Sequence, residues 1–157
     1  MNFAQEVKIA DAVVPQADWR AITSRAINVA NAHMIYLVIH VDEDSGDETY
    51  TPQRNDGTTG WIALANTVPI WANTDTTVND TLVRQNNGLA YTSNAQAGEK
   101  LIVFQIDPRK LGLHTGGTNQ PCTQVRFVAA NDQQDVGSAL WYVIPRYKQA
   151  TPPAVRV

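Results

Sequence analysis

Apolar runs of strand length, separated by clusters of turn-forming residues, recur along the whole chain. The strongest in the N-terminal half covers 32–41, where Ile35, Leu37, Ile39 and Val41 alternate with Met34, Tyr36, Val38 and His40. A period of two sends successive side chains to opposite faces. Both sets are largely apolar, so this strand is expected to lie centrally in its sheet. Before it, 7–14 reads as a first strand stopped by Pro15, Asp18 as the N-cap of a short helical turn over 18–22, and 23–29 as a half-buried strand. After it, 49–54 reads as an edge strand limited by Pro52, and Asn55-Asp56-Gly57 marks a turn. Short apolar runs follow at 61–65, 68–72 and 88–92, and the Thr- and Asn-rich stretch 73–87 is either a long loop or an edge strand.

The C-terminal third has the clearest pattern. The run 100–106 is an apolar strand stopped by Asp107-Pro108, because proline removes a donor and fixes a turn. In 123–130, Val125 and Phe127 alternate with Gln124 and Arg126; in 138–144, Leu140, Tyr142 and Ile144 alternate with Trp141 and Val143. With 131–135 as the joining loop, these two runs are predicted to pair as a hairpin. Many short strands at this spacing indicate an all-β fold, an antiparallel β-sandwich or barrel. No repeat or linker divides the chain, so 1–157 reads as one domain, with 1–5 and 149–157, the latter holding Pro152-Pro153, as flexible extended arms.

Composition narrows the function more than the fold. Charged residues make up 17%, and a net charge of −3 argues against a nucleic-acid groove, which needs clustered Lys and Arg. The charge is uneven: 1–57 holds nine acidic and four basic residues, 100–157 three acidic and seven basic. Glu6, Lys8 and Asp11 interrupt any secretory leader, and no apolar run approaches the about 20 residues of a membrane-spanning helix. The single cysteine, Cys122, has no partner for an internal disulfide and no neighbour at metal-ligand spacing; it reads as a small buried hydrophobe.

Candidate chemistry is sparse. Asp42, Glu43, Asp44, Asp47 and Glu48 gather five carboxylates, which raises calcium, but an EF-hand loop has its glycine sixth and a bidentate Glu twelfth, whereas counting from Asp42 puts Gly46 fifth and Pro52 eleventh; a solvated hairpin tip is the default. His33 and His40, at odd spacing on one strand, point to opposite faces, and His114 precedes a glycine pair that lacks the ending of a phosphate-binding loop. A triad of His114, Asp135 and Ser138 can be drawn, without any nucleophile-elbow sequence to support it. Asn79 begins a glycosylation sequon that means little without a leader. Trp19, Trp61, Trp71 and Trp141 suit either core packing or a sugar-stacking face, the basis of an alternative reading as a carbohydrate-binding module. No catalytic, cofactor-binding or metal-binding residue is assigned.

Three segments, Ile102 to Leu111, Cys122 to Phe127 and Ala139 to Tyr147, resemble small virion proteins of tailed bacteriophages: an apolar strand ending in Asp-Pro, a Cys-containing strand and a final strand closing in an aromatic, Pro, Arg, Tyr sequence. The resemblance covers about a third of the chain. It implies a jelly-roll-like β-sandwich, no turnover, and a cement or decoration protein. Such a protein is made in the host cytoplasm, sits on the capsid exterior, binds the major capsid protein and forms dimers or trimers. Head-fibre and tail components share the pattern.

Overall fold

In the computed structural model, which describes residues 6–57, 60–115, 119–130, 134–147 and 154–157, alternation decides which side of each strand is buried. On β3 (Ala32–Glu43) Ile35, Leu37, Ile39 and Val41 face inward; on β9 (Gly98–Ile106) Ile102, Phe104 and Ile106 do, and on β11 (Val136–Pro145) Ala139, Trp141 and Val143. β10 (Gln124–Ala130) closes over them with Val125, Phe127 and Ala129. Burying each large aliphatic side chain stabilises the fold by about 1.5–3 kcal/mol. Phe127 joins the layers, its ring centroid 6.3 Å from Trp19 and 6.4 Å from Trp141.

The remaining strands are β1 (Lys8–Gln16), β2 (Ile27–Asn28), β4 (Thr49–Asn55), β5 (Trp61–Ala63), β6 (Ile70–Asn73), β7 (Val83–Arg84) and β8 (Tyr91–Thr92). The first sheet runs β1-β11-β3-β9-β6-β7 and the second β2-β10-β4-β5, with β8 also on β4. Every observed pairing is antiparallel. Thus β1, β11, β3 and β9 face β2, β10, β4 and β5, and apart from the β4–β5 neighbour pair each link in this eight-strand set crosses between sheets. That is the strand order of a jelly roll; β6, β7 and β8 are additions to it. The all-β antiparallel sandwich read from the sequence is the observed architecture.

Several elements differ from the sequence reading. The predicted hairpin over 123–144 does not form: β10 pairs with β4 and β11 with β3, in opposite sheets. Instead ten-residue β11 runs its ladder along twelve-residue β3, and seven-residue β10 along seven-residue β4, which satisfies the backbone groups of each. β4 is no edge strand. Pro52 is tolerated there because on its far side β8 pairs with Thr49 and Tyr50 and β5 with Gln53 to Asn55, which leaves position 52 between them. β1 continues past Pro15 to Gln16, as a sheet edge with register shifts permits. At 18–22 there is no helical turn: Asp18 Oδ1 accepts from the Arg20 amide at 3.1 Å, and Ala21 takes φ +52. Of 23–29 only Ile27–Asn28 is strand, with one bridge from Thr23 to Val128. The arm expected over 149–157 is docked at 154–157. Asn28 donates to the Val155 carbonyl at 2.6 Å, Val155 is buried, and Arg156 pairs with Asp11 at 2.8 Å. Residues 1–5 and 149–153 lie outside the described residues. Among the described residues no helix is long and apolar enough to cross a membrane.

Candidate functional site

The acidic run is a solvated tip only in part: Asp42, Asp44 and Asp47 are exposed, whereas Glu43 and Glu48 are buried. β3 ends on Glu43, which, in phase with Ile39 and Val41, points inward, as does Lys100 in phase with Ile102 and Phe104. The two meet as an ion pair, Lys100 Nζ to Glu43 Oε2 at 2.5 Å. Ser93 Oγ donates to the same oxygen at 2.8 Å, and Lys100 Nζ also donates to the Asn94 carbonyl at 2.7 Å. Glu43, Glu48, Lys100 and Asp135 are each no more than 1% exposed. The Tyr50 hydroxyl lies 2.9 Å from Glu43 Oε1 and 2.5 Å from Glu48 Oε2. A phenol has one proton to donate, so both contacts persist only if one carboxyl supplies a proton of its own. Burial, with the charges of Asp135 and Glu43 adding to it and the Tyr50 hydrogen bond opposing it, pushes Glu48 up to about 7. Burial, then the charges of Glu48 and Glu43, hold the Tyr50 phenol far above its usual range.

This cluster joins three crossings. Glu43 ends β3 and Glu48 precedes β4, Ser93 follows β8, and Asp135, which accepts from the Asp44 amide at 2.8 Å, precedes β11. Among the described residues no group of three or more His, Cys, Asp and Glu side chains is arranged to hold a metal ion, and the Lys100 ammonium supplies the positive charge among these carboxylates. The calcium reading of the run therefore has no geometric support. The sequence did carry a signal: Glu43 and Lys100, opposite in sign, both stand in phase with core positions of their strands.

The other candidates are dispersed. His114 lies at the far end of β4, its ring where a side chain at position 57 would project; Gly57, at φ +76, makes room for it. Asp135 stands at the near end, roughly 20 Å away along the seven residues of β4. Ser138 is on the outward side of β11 opposite His40. The imagined triad is not assembled. His33 and His40 are both exposed, because the register irregularity where Ala32 meets Pro145 shifts the alternation at the start of β3. Of the glycine-rich loop after His114, residues 116–118 lie outside the described residues. Cys122 is buried at 3% exposure and accepts from Arg54 Nη1 at 3.2 Å. Exposed Asn79 closes a turn, its Oδ1 accepting from the Thr81 amide at 2.9 Å.

The tryptophans divide among three environments. Trp19 and Trp141 are fully buried. Trp71 faces out from the first sheet under Arg84, 4.9 Å away, and Trp61 faces out from the second under Arg126 at 4.6 Å. A sugar-stacking platform of several tryptophans is therefore not formed.

The two outward sheet faces differ. That of the second sheet is mostly polar: beside Val128 and Trp61 it carries Thr49, Thr51, Gln53, Asn55, Gln124 and Arg126, with Arg126 Nε donating to Gln53 Oε1 at 2.8 Å and Asn55 Nδ2 to Gln124 Oε1 at 3.1 Å. That of the first sheet is apolar in its middle. Strand register aligns Ile9, Tyr142, Tyr36 and Gln105 in one row, Asp11, Leu140, Val38, Val103, Trp71 and Arg84 in the next, and Ser138, His40 and Leu101 in the one after. Ile9 is 43% exposed, and Val7, Tyr36, Val38, Val103, Tyr142 and Ile144 line a shallow apolar depression. The sequence reading took the two-sided apolar pattern of 32–41 as a mark of central position. Its recurrence in Leu101 and Val103, and in Leu140, Tyr142 and Ile144, was the signal for an apolar outer face.

No protein-family model matches the chain. No curated protein matches it. Among solved structures the chain is similar to the crystal structure of the SPBc2 prophage-derived protein YomS, at 11% identity and a TM-score of 0.47, over 88% of this chain and 93% of that one.

Proposed function

We propose that this chain is a non-enzymatic structural protein of a tailed-bacteriophage particle, specifically a cement protein that binds the major capsid protein on the outside of the head and stabilises the shell. The observation that carries the reading is the outward face of the first sheet, where apolar side chains from β1, β11, β3, β9 and β6 form adjoining rows. An antiparallel sheet with one side on the core ordinarily turns polar residues to water on the other. A contiguous apolar outer face belongs to a protein that works within an assembly. The phage assignment rests on the resemblance of β9 with its Asp107-Pro108 turn, of β10 and of β11 to small virion proteins. On a shell the same modest contact recurs at every equivalent position, so weak single interfaces add up to strong reinforcement.

The test is to mix the purified chain with undecorated heads. Co-sedimentation at a fixed ratio to capsid subunits and a raised temperature of head disruption are expected. Absence of both, with correctly folded chain, overturns the cement role, and binding to isolated tails instead reassigns the chain to a tail component.

A further inference from the structure

Glu43 of β3 and Lys100 of β9 are diagonal neighbours: Val41 stands opposite Lys100, Glu43 is two residues further on, and both side chains point inward. Long side chains meet across such a diagonal. Their contact is dry, with Glu43, Lys100, Tyr50 and Glu48 at most 1% exposed and Ser93 at 3%. Both oxygens of the Glu43 carboxyl carry donors. Lys100 Nζ and Ser93 Oγ meet Oε2, and the Tyr50 hydroxyl meets Oε1. From the other side the Asn94 carbonyl holds Lys100 Nζ at 2.7 Å. Lys100 keeps Glu43 ionised, so Glu48 is the carboxyl that supplies the extra proton: it donates to the Tyr50 oxygen, and Tyr50 donates to Glu43. A nitrogen nucleophile against a carboxyl group, with one donor on the oxygen that gains charge and another on the oxygen that departs, is what amide formation requires.

We infer that Lys100 and Glu43 condense to an intramolecular amide, a covalent tie between β3 and β9 for which the ion pair is the precursor. One proton passes from Nζ to Oε2 along their hydrogen bond, leaving an amine beside a carboxylic acid. Nζ then attacks Cδ. As the C–N bond forms, an electron pair moves onto Oε1, where the Tyr50 hydroxyl, backed by the Glu48 carboxyl, stabilises the charge. The nitrogen gives a second proton to Oε2, the Cδ–Oε2 bond breaks, and water departs while the pair on Oε1 restores the carbonyl. Ser93 Oγ donates to the departing oxygen. One ammonium and one carboxylate become one amide and one water, and no other reactant is consumed. Two effects drive the step. Groups held in contact react as if at about 10⁵ M or more. The amide carries no charge, so its formation relieves the desolvation cost of two buried ions. A cleft of about 400 Å³ that borders Glu43, between Asp44, Gly98 and Val136, gives the water its exit. The tie spans 57 positions of sequence, and a cross-link over such a span stabilises chiefly by restricting the unfolded chain.

The experiment is mass spectrometry of the denatured full chain, intact and after trypsin. The intact mass is expected to fall below the sequence value by one water. Trypsin does not cut at an acylated lysine, so residues 26–54 should appear joined to residues 85–109. Lys100→Met and Glu43→Ala should each keep the full mass. Both also strip a buried ion of its partner, so the decisive variants are Tyr50→Phe and Ser93→Ala, which keep the ion pair and each remove one donor from the carboxyl. With the chain made by cell-free synthesis and sampled over time, Tyr50→Phe should gain the link at least roughly a hundredfold more slowly than wild type. Ser93→Ala should be slowed as well, and circular dichroism should report the β fold in both. A folded wild type that keeps its full mass on prolonged incubation, or a link from Lys100 to any residue other than Glu43, overturns the proposal. Variants that link as fast as wild type overturn the parts given to Tyr50 and Ser93. None of these readouts involves heads, so they stand or fall apart from the cement role.

Discussion

The outward faces of the two sheets come from strands of the same fold with the same alternation, yet they have opposite character. On the second sheet alternation separates core from solvent, and the outer residues spend their hydrogen bonds on one another: Thr49 on Thr92, Gln53 on Arg126, Asn55 on Gln124. On the first sheet alternation separates one apolar layer from a second, largely apolar one, whose charges stand at its margins: Asp42 and Glu99 at the strand ends, Asp11 on β1 and Arg84 on β7. The inner layer is explained by folding, because Ile35, Leu37, Ile39 and their neighbours meet Phe127 and Tyr50 across the sandwich. The outer layer has no such partner within the described residues, so its apolarity points to a contact outside the protomer.

The largest test strikes what the two faces share. The Lys100–Glu43 pair belongs to the first sheet, and Tyr50 and Glu48 link it to the second. Lys100→Met leaves buried Glu43 without its cation, and urea denaturation is expected to show a loss of about 3–5 kcal/mol. Both outer faces should then respond together, with increased binding of a hydrophobic dye. A smaller effect follows from Glu48, pushed from 4.5 up to about 7 in the folded chain. Between those values the folded chain binds more protons than the unfolded one. Its contribution is therefore complete below about pH 4.5 and is lost as pH rises through about 7, a decline of up to about 3 kcal/mol. Glu48→Gln should flatten that decline and leave the variant more stable than wild type at pH 8.

The next tests separate the faces. Arg126→Ala removes a guanidinium from Trp61 and its hydrogen bond to Gln53, an expected cost of about 0.5–1 kcal/mol. Arg84→Ala uncovers Trp71 on the other sheet. A red shift of tryptophan emission and stronger quenching by acrylamide are expected from each, and no shift from either would show that the cations do not cover the rings in solution. Smallest in stability, and most direct for the comparison, is an exchange of character. Val38→Thr and Thr51→Val should each change stability by no more than about 0.5–1 kcal/mol. The first should lower dye binding and the second raise it; equal dye binding by both variants and wild type would erase the contrast.

Much of this was legible from periodicity alone. The inward set of β3, the apolar strand ending at Asp107, and the buried phases of β10 and β11 follow from a period of two. Periodicity says which side of a strand is buried, not which strand lies beside it. Hence β10 and β11, neighbours in sequence and both half apolar, read as a hairpin while the fold sends them to opposite sheets. Two-residue strands such as β2, β7 and β8 carry no period at all; the long strands beside them create them. The buried cluster was hidden for a different reason. A run of acids signals water until its counter-charge is known, and Lys100 stands 57 positions from Glu43. The apolar outer face was visible strand by strand, but its size appears only when register sets Tyr142 beside Tyr36 and Val38 beside Val103.

The place of β11 sets a timetable for the chain. It is the latest in sequence of the eleven strands among the described residues, yet it fills the slot between β1 and β3, so that Ala10 meets Trp141 and Leu37 meets the same residue from the other side. Until residues 136–145 are available, the first strand has no neighbour in its sheet, and two long apolar strands wait with open edges. Loop closure over such separations comes before any reward from contact, which puts refolding in the slow range of all-β domains, milliseconds to seconds. During synthesis on the ribosome, the chain must emerge through Pro145 before its first sheet can close, and that interval is when a chaperone has most to shield.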